Sequence, residues 1–248
     1  YQFHKSVIRS KVRGVYSEVN SLFDGTADRE LQQKYAPVMD SLNAARELAG
    51  ILKKRALKNG SFDLESTESV FTLDEHGVCV DVQPHVSGKA EGMIEQLMIT
   101  ANQAAAKLAK SKEIPFVYRV HEQPDPERVK NLIQLVDAVG LNSRTLKKTE
   151  PLSAKDFAGI LEQAQEPAIR KIISHQLLRT MAKARYDASP LGHFGLALED
   201  YCHFTSPIRR YPDLAIHRIL TALLTEKGDS KLGRFQNFAT AAAKSSSD

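Results

Sequence analysis

Apolar positions recur along this chain mostly with a helical period. Met93, Ile94, Leu97, Met98, Ala101, Ala105 and Leu108 return to one face at about 100° per residue, which predicts a well-defined helix over 89–110. A second pattern from Tyr35 to Leu57 runs through Val38, Leu42, Ala45, Leu48, Ala49 and Leu52 and stops at Asn59-Gly60, a C-terminal cap signal. Helices are also expected over 15–23, ending at Asp24-Gly25, and over 126–139, closed by Gly140. Two more are expected over 153–164 and 168–185. Period-2 stretches are shorter. Val70–Leu73 and Val78–Val82 flank Asp74-Glu75-His76-Gly77 and predict a hairpin. Residues 3–9, 115–120 and 194–198 read as extended. Ser206-Pro207 signals a helix start, with the helix continuing towards Leu224 and ending at Lys227-Gly228. Pro212 would interrupt that helix, so a tight turn is expected at 207–211 with the main helix starting near Pro212. The fold class is therefore α+β, helix-rich with several short antiparallel strands.

Composition narrows the picture. With 248 residues and 42% apolar content, the chain can bury a core without covalent staples. Two distant cysteines, Cys79 and Cys202, make neither a disulfide framework nor a zinc pattern and fit a reducing, cytoplasmic setting. No stretch approaches the ~18 apolar residues of a membrane span, and no signal peptide is visible. Tyr1 is not an initiator methionine, so the chain is expected to come from something longer. A net charge of +4 permits nucleic-acid binding without establishing it. Lys5, Arg9, Lys11 and Arg13 carry no acid among them, and they read better as a solvated face than as a binding patch.

The chemistry concentrates in residues 192–218, GHFGLALEDYCHFTSPIRRYPDLAIHR. Adjacent arginines, Arg209 and Arg210, follow a Thr205-Ser206 cap. Helix N-termini attract phosphate through unpaired N–H groups, and guanidinium adds a planar fork matched to phosphate oxygens. Ser206 and His203 supply further donors. The competing reading is a capped helix with Arg209 paired to Asp213 at i+4. On the 89–110 helix, Glu95 and Asn102 share a line away from the Leu97/Ala101 stripe, so both could face a channel or simply face solvent. His121-Glu122 has metal-like composition but reads better as a hydrogen-bonded structural pair, and His175 and His217 as ordinary helix residues. Asp24/Asp28, Asp74/Glu75 and Asp125/Glu127 read as turn and cap residues, so no metal ligand is assigned.

Residues 192–218 resemble the most distinctive signature of the ribonuclease II/ribonuclease R (RNB-type) exoribonuclease catalytic domain. Further segments match in order: Ser6–Ser10 with Val15-Tyr16, Ile94–Asn102, and Pro115–Glu122. Two departures stand out: Gly14-Val15 replaces Leu-Thr, and Gln96 replaces the second Glu of a pair. The resemblance implies that 1–248 is a single partial catalytic domain, its C-terminal portion. It implies 3′-to-5′ hydrolysis of single-stranded RNA to nucleoside 5′-monophosphates with Mg²⁺, whose aspartate ligands belong to a motif not matched here. The family's flanking OB-fold domains are not matched either. By the same resemblance, Arg209 is the catalytic residue at the scissile phosphate and Arg210 a backbone-phosphate contact. Tyr16 and Glu95 would touch the ribose near the 3′ end, and Phe62 would stack on the terminal base. No protein partner is identifiable. The runner-up function is a non-catalytic single-stranded RNA-binding module, and the third a helical interaction domain without RNA.

Overall fold

The computed structural model describes residues 1–62, 69–84, 87–148, 151–225, 233 and 235–247. Backbone packing divides the chain into two units, one of Tyr1–Ile8, Lys53–Phe62 and Leu97–Asp248, the other of Arg9–Leu52 and Asp63–Gln96.

The smaller unit starts with α1 (Tyr16–Asp24), which buries Val19 and Phe23. Gly25 ends it in the left-handed region at φ 73°, donating its N–H to Leu22, while Thr26 N–H reaches back to Ser21. Asp28 caps α2 (Arg29–Tyr35) by accepting the Leu31 N–H at 2.8 Å. The single helix expected from Tyr35 is in fact divided. Pro37 lies in a short 3₁₀ turn, Ala36–Val38, and α3 (Met39–Asn59) begins after it. Proline has no N–H to continue the ladder of the preceding turn. On the expected apolar face of α3 only Ala49 is buried, and Leu48 is exposed. Glu18 joins α1 to α2, accepting the Tyr35 hydroxyl at 2.5 Å and Lys34 at 2.7 Å. The hairpin is present as β1 (Ser69–Leu73) and β2 (Cys79–Pro84), antiparallel, with a register shift between Thr72 and Leu73. Asp74 shapes its turn, accepting the N–H groups of His76 and Val78.

Helix α4 (Lys89–Ser111) begins in the smaller unit and continues into the larger one. There its face of small residues, Ala105, Ala106 and Ala109, packs in a core with Phe116, Val117 and Val120 and the buried side of α8 (Tyr211–Thr225). Ala239, Ala242 and Ala243 of α9 (Gln236–Ser245) complete that core. Within the expected strand 115–120, ladder bonding is confined to β3 (Tyr118–Val120), which pairs antiparallel with β4 (Arg185–Asp187). Strand β4 corrects the expected helix over 168–185. Helix α7 (Pro167–Thr180) ends at Met181, whose backbone is extended, because residues 185–187 gain a strand partner. Local propensity at Met-Ala-Lys-Ala loses to tertiary pairing. Asp125 caps α5 (Pro126–Ala138), and a Ser153/Asp156 capping box starts α6 (Ala154–Gln163).

The expected extension at 194–198 is instead a 3₁₀ turn, Phe194–Leu196, followed by Ala197 at φ 52°. Residues 3–9 form no regular element. The turn expected at 207–211 is present, and α8 carries Pro212 in its first turn, where a missing N–H costs nothing. The expected end at Lys227-Gly228 lies outside the described residues. The chain is α+β. Among the described residues, no helix is long and apolar enough to cross a membrane.

Candidate nucleic-acid interface

The segment from Tyr201 to Arg210 has no helix or strand of its own, yet it is pinned at many points. Asn102 of α4, 2% exposed, is the central pin. Its Oδ1 accepts the N–H groups of Phe204 (2.9 Å) and Thr205 (3.2 Å), and its Nδ2 donates to the Tyr201 hydroxyl (3.1 Å). Its backbone carbonyl accepts the Cys202 thiol, and burial pushes that thiol's ionisation well up. Pairing Asn102 with Glu95 as two channel-facing residues therefore fails. Glu95 is exposed, whereas Asn102 lies three, four and seven positions before Ala105, Ala106 and Ala109 and shares their buried face. The stripe at this end of α4 is made of alanines, and a polar residue among them was the available sign of a buried clamp.

Downstream, Asp213 controls the arginine turn. It is fully buried, and its Oδ1 accepts both the Ser206 N–H (2.7 Å) and the Arg210 guanidinium (2.8 Å). The Ser206 carbonyl accepts the N–H of Arg209 (3.3 Å) and Arg210 (3.1 Å), closing the turn. The sequence offered a surface pair between Arg209 and Asp213. The pair that forms is buried and uses Arg210, one residue on, because α8 begins at Tyr211 and leaves residue 209 in the turn before it. Arg209 is exposed, and among the described residues no carboxylate pairs with it.

His203 sits behind this turn. Its Nδ1 is 2.8 Å from the Tyr186 hydroxyl, and its ring meets those of Tyr186 and Tyr201 edge-on. Burial first, then the charges of Arg210, Arg119 and Arg209, hold its ionisation down to about 3, so it is neutral near pH 7. His217 packs its ring flat on Phe204 (4.3 Å between centroids) and has its Nε2 3.0 Å from the Phe204 carbonyl, a structural role.

Three further residues were expected at the site. Phe62 is half-buried, its ring nearly parallel to that of Phe157 at 6.3 Å. Tyr16 and Glu95, both exposed, belong to the smaller unit. The structure thus brings together His203, Ser206, Arg209 and Arg210.

His121 and Glu122 do not form the pair expected of them. Neighbours at the end of a strand point to opposite sides. His121 is buried, with Nδ1 accepting the Gly195 N–H at 3.1 Å, while Glu122 faces out to Arg185 at 2.9 Å. A Cβ at residue 195 would sit 3.0 Å from that imidazole nitrogen, so a side chain there would push the ring back by a few tenths of an ångström. His193 packs edge-on against His121, and burial holds its ionisation down to about 3. Both histidines line a cleft of about 510 Å³ with Glu122, Lys155 and Glu199. Among the described residues, no three His, Cys, Asp or Glu side chains stand together as a metal-holding group.

Comparison with known proteins identifies the family. The model of the RNB domain family matches residues 1–226. Ribonuclease R of Thermotoga maritima is 40% identical over 229 residues, which cover 92% of this chain and 31% of that protein. The fold superposes on Mycoplasma genitalium RNase R in complex with ribose methylated single-stranded RNA, with TM-score 0.83 and 31% identity over 94% of this chain and 36% of that one. The same protein in complex with double-stranded RNA gives the same TM-score over 41% of its chain. The chain spans about a third of the length of the curated relatives it matches. By the extent of the family match, which takes in the arginine turn, this chain belongs to the RNB domain family.

Proposed function

We propose that this chain supplies the RNA channel and the arginine clamp of a 3′-to-5′ hydrolytic exoribonuclease that degrades single-stranded RNA to nucleoside 5′-monophosphates. The observation that carries this reading is Arg209, an exposed guanidinium without a carboxylate partner among the described residues. It stands on a turn whose geometry is locked by the buried Asp213. A guanidinium held this way meets charge that develops on a phosphate without first having to leave an acid, and such a donor is worth a few kcal/mol of barrier. Arg210 is committed to Asp213, so its role is to hold the turn, with its charge adding to the field. His203, neutral and bonded to Tyr186, offers hydrogen bonds without extra charge.

Tyr16 and Glu95 are assigned to the ribose, where a hydroxyl and a carboxylate would select for the 2′-OH of RNA. Phe62 is assigned to base stacking, which tolerates any sequence. The family resemblance brings Mg²⁺, which when bound supplies an activated water and neutralises the leaving oxygen. Among the described residues, no group of three His, Cys, Asp or Glu side chains forms a site for it.

The test is binding and turnover with 5′-labelled single-stranded RNA and a DNA of the same sequence, with Mg²⁺ present. The expected result is salt-sensitive binding that prefers RNA, weakens in Arg209→Ala, and proceeds without turnover by residues 1–248 alone. Equal affinity for DNA, or binding indifferent to Arg209, would sink the reading. A nucleotide ladder from the purified chain would place the metal ligands among its own acids.

A further inference from the structure

Arg119 is the other arginine near this turn without an acid. It lies on β3 directly across from Tyr186 of β4, and its guanidinium carbon lies over the Tyr186 ring, 4.7 Å from the ring centroid. Its backbone N–H is fixed by the Tyr201 carbonyl at 2.9 Å, so the strand is tied to the same segment that carries His203. Arg119 is part-buried. Part-buried guanidiniums ordinarily have a carboxylate, because desolvated charge is costly when unpaired. Neighbouring arginines follow that rule. Arg185 has both Glu122 and Asp187, and Arg210 has Asp213. Arg119 has only an aromatic face among the described residues.

Stacking on a tyrosine leaves the in-plane N–H fork of a guanidinium unused, and that fork matches two oxygens of a phosphate. The surroundings favour an anion. Arg119, Arg209 and Arg210 all act on the Tyr186 hydroxyl and on His203, with Asp213 the one carboxylate acting on Tyr186. His203 adds no positive charge near pH 7, so the site is cationic through its arginines alone.

We propose that Arg119, placed over the Tyr186 ring, forms a phosphate-binding subsite of the RNA interface beside Arg209. The ligand is a backbone phosphate of the RNA chain, and Tyr186 is the platform that orients the fork. This rests on the RNA-binding reading above and adds a residue to it.

Salt titration separates a phosphate contact from a packing contact. Each lost phosphate contact lowers the slope of log affinity against log salt by about 0.7 for a single strand. Anisotropy of a labelled single-stranded RNA would be followed across KCl concentrations with the chain of residues 1–248 and its Arg119→Gln, Arg119→Lys and Arg209→Ala variants. Arg119→Gln is expected to weaken binding and flatten the slope by about that amount. Arg119→Lys should keep the slope while losing affinity, since it keeps the charge but not the fork. Circular dichroism of each variant checks that the fold is retained. If Arg119→Gln leaves the slope at the wild-type value while Arg209→Ala flattens it, the subsite is overturned and the RNA reading stands. If the unaltered chain binds no RNA, both fall together.

Discussion

The segment from Tyr201 to Asp213 and the hairpin from Ser69 to Pro84 are held in opposite ways. The first has little regular backbone structure before Tyr211, yet side chains from distant positions fix it: Asn102 at one end, Asp213 at the other. The hairpin has a regular ladder, but Phe71, Leu73, Val78, Val80 and Val82 are each more than half exposed. Regularity and fixity are thus separate properties. A ladder satisfies backbone groups locally and says little about what the faces meet. A buried carboxylate or carboxamide admits few backbone positions, because every alternative leaves a desolvated polar group unpaired. The arginine turn is built on the second kind of support.

The sharpest way to break this comparison is Asp213→Ala. It leaves the Arg210 guanidinium part-buried and unpaired and the Ser206 N–H without its acceptor. A loss of about 3–5 kcal/mol in urea unfolding is expected. A loss within the ~0.5 kcal/mol typical of surface changes would mean the turn holds itself.

Acidification gives an intermediate effect. His203 and His193 ionise at about 3 in the folded chain, against an unfolded value of about 6.5. Between those values the folded chain binds fewer protons than the unfolded one, so stability is full above about 6.5 and is lost as pH falls towards 3. In His203→Asn, the fall in unfolding free energy between pH 6 and pH 4.5, measured by urea titration, should be shallower by about 1 kcal/mol per pH unit. An unchanged slope would show that His203 is not held neutral.

The smallest effect belongs to the hairpin, where Val80→Thr should change stability by no more than about 0.5 kcal/mol. A larger loss would reveal that this face is covered.

What could be read from sequence divides along the same line. Helix α4, the hairpin, the caps at Asp28 and Asp125 and the turn before Pro212 were legible because each depends on residues within a turn or two. Pro37 divides the second helical pattern, a break that the apolar periodicity alone does not register. Strand β4 was not legible, since its partner lies some sixty residues away. In the site, the arginine pair was found from composition and resemblance. Which arginine takes Asp213 depended on where α8 begins, and the role of Asn102 on which face of α4 the alanines bury. Arg119 carried no local signal, because its partner is a ring on another strand.

The clamp at Asn102 also has a kinetic meaning. It joins one side chain to N–H groups about a hundred residues further along, so forming it requires closing a very long loop. Contacts of that span form late, after local helices and turns are in place. Helix α4 can wind early, but the arginine turn acquires its geometry only when the core between α4 and α8 closes. A partly folded chain would therefore carry Arg209 without presenting it, and the exposed guanidinium would take its place in step with the last stage of folding.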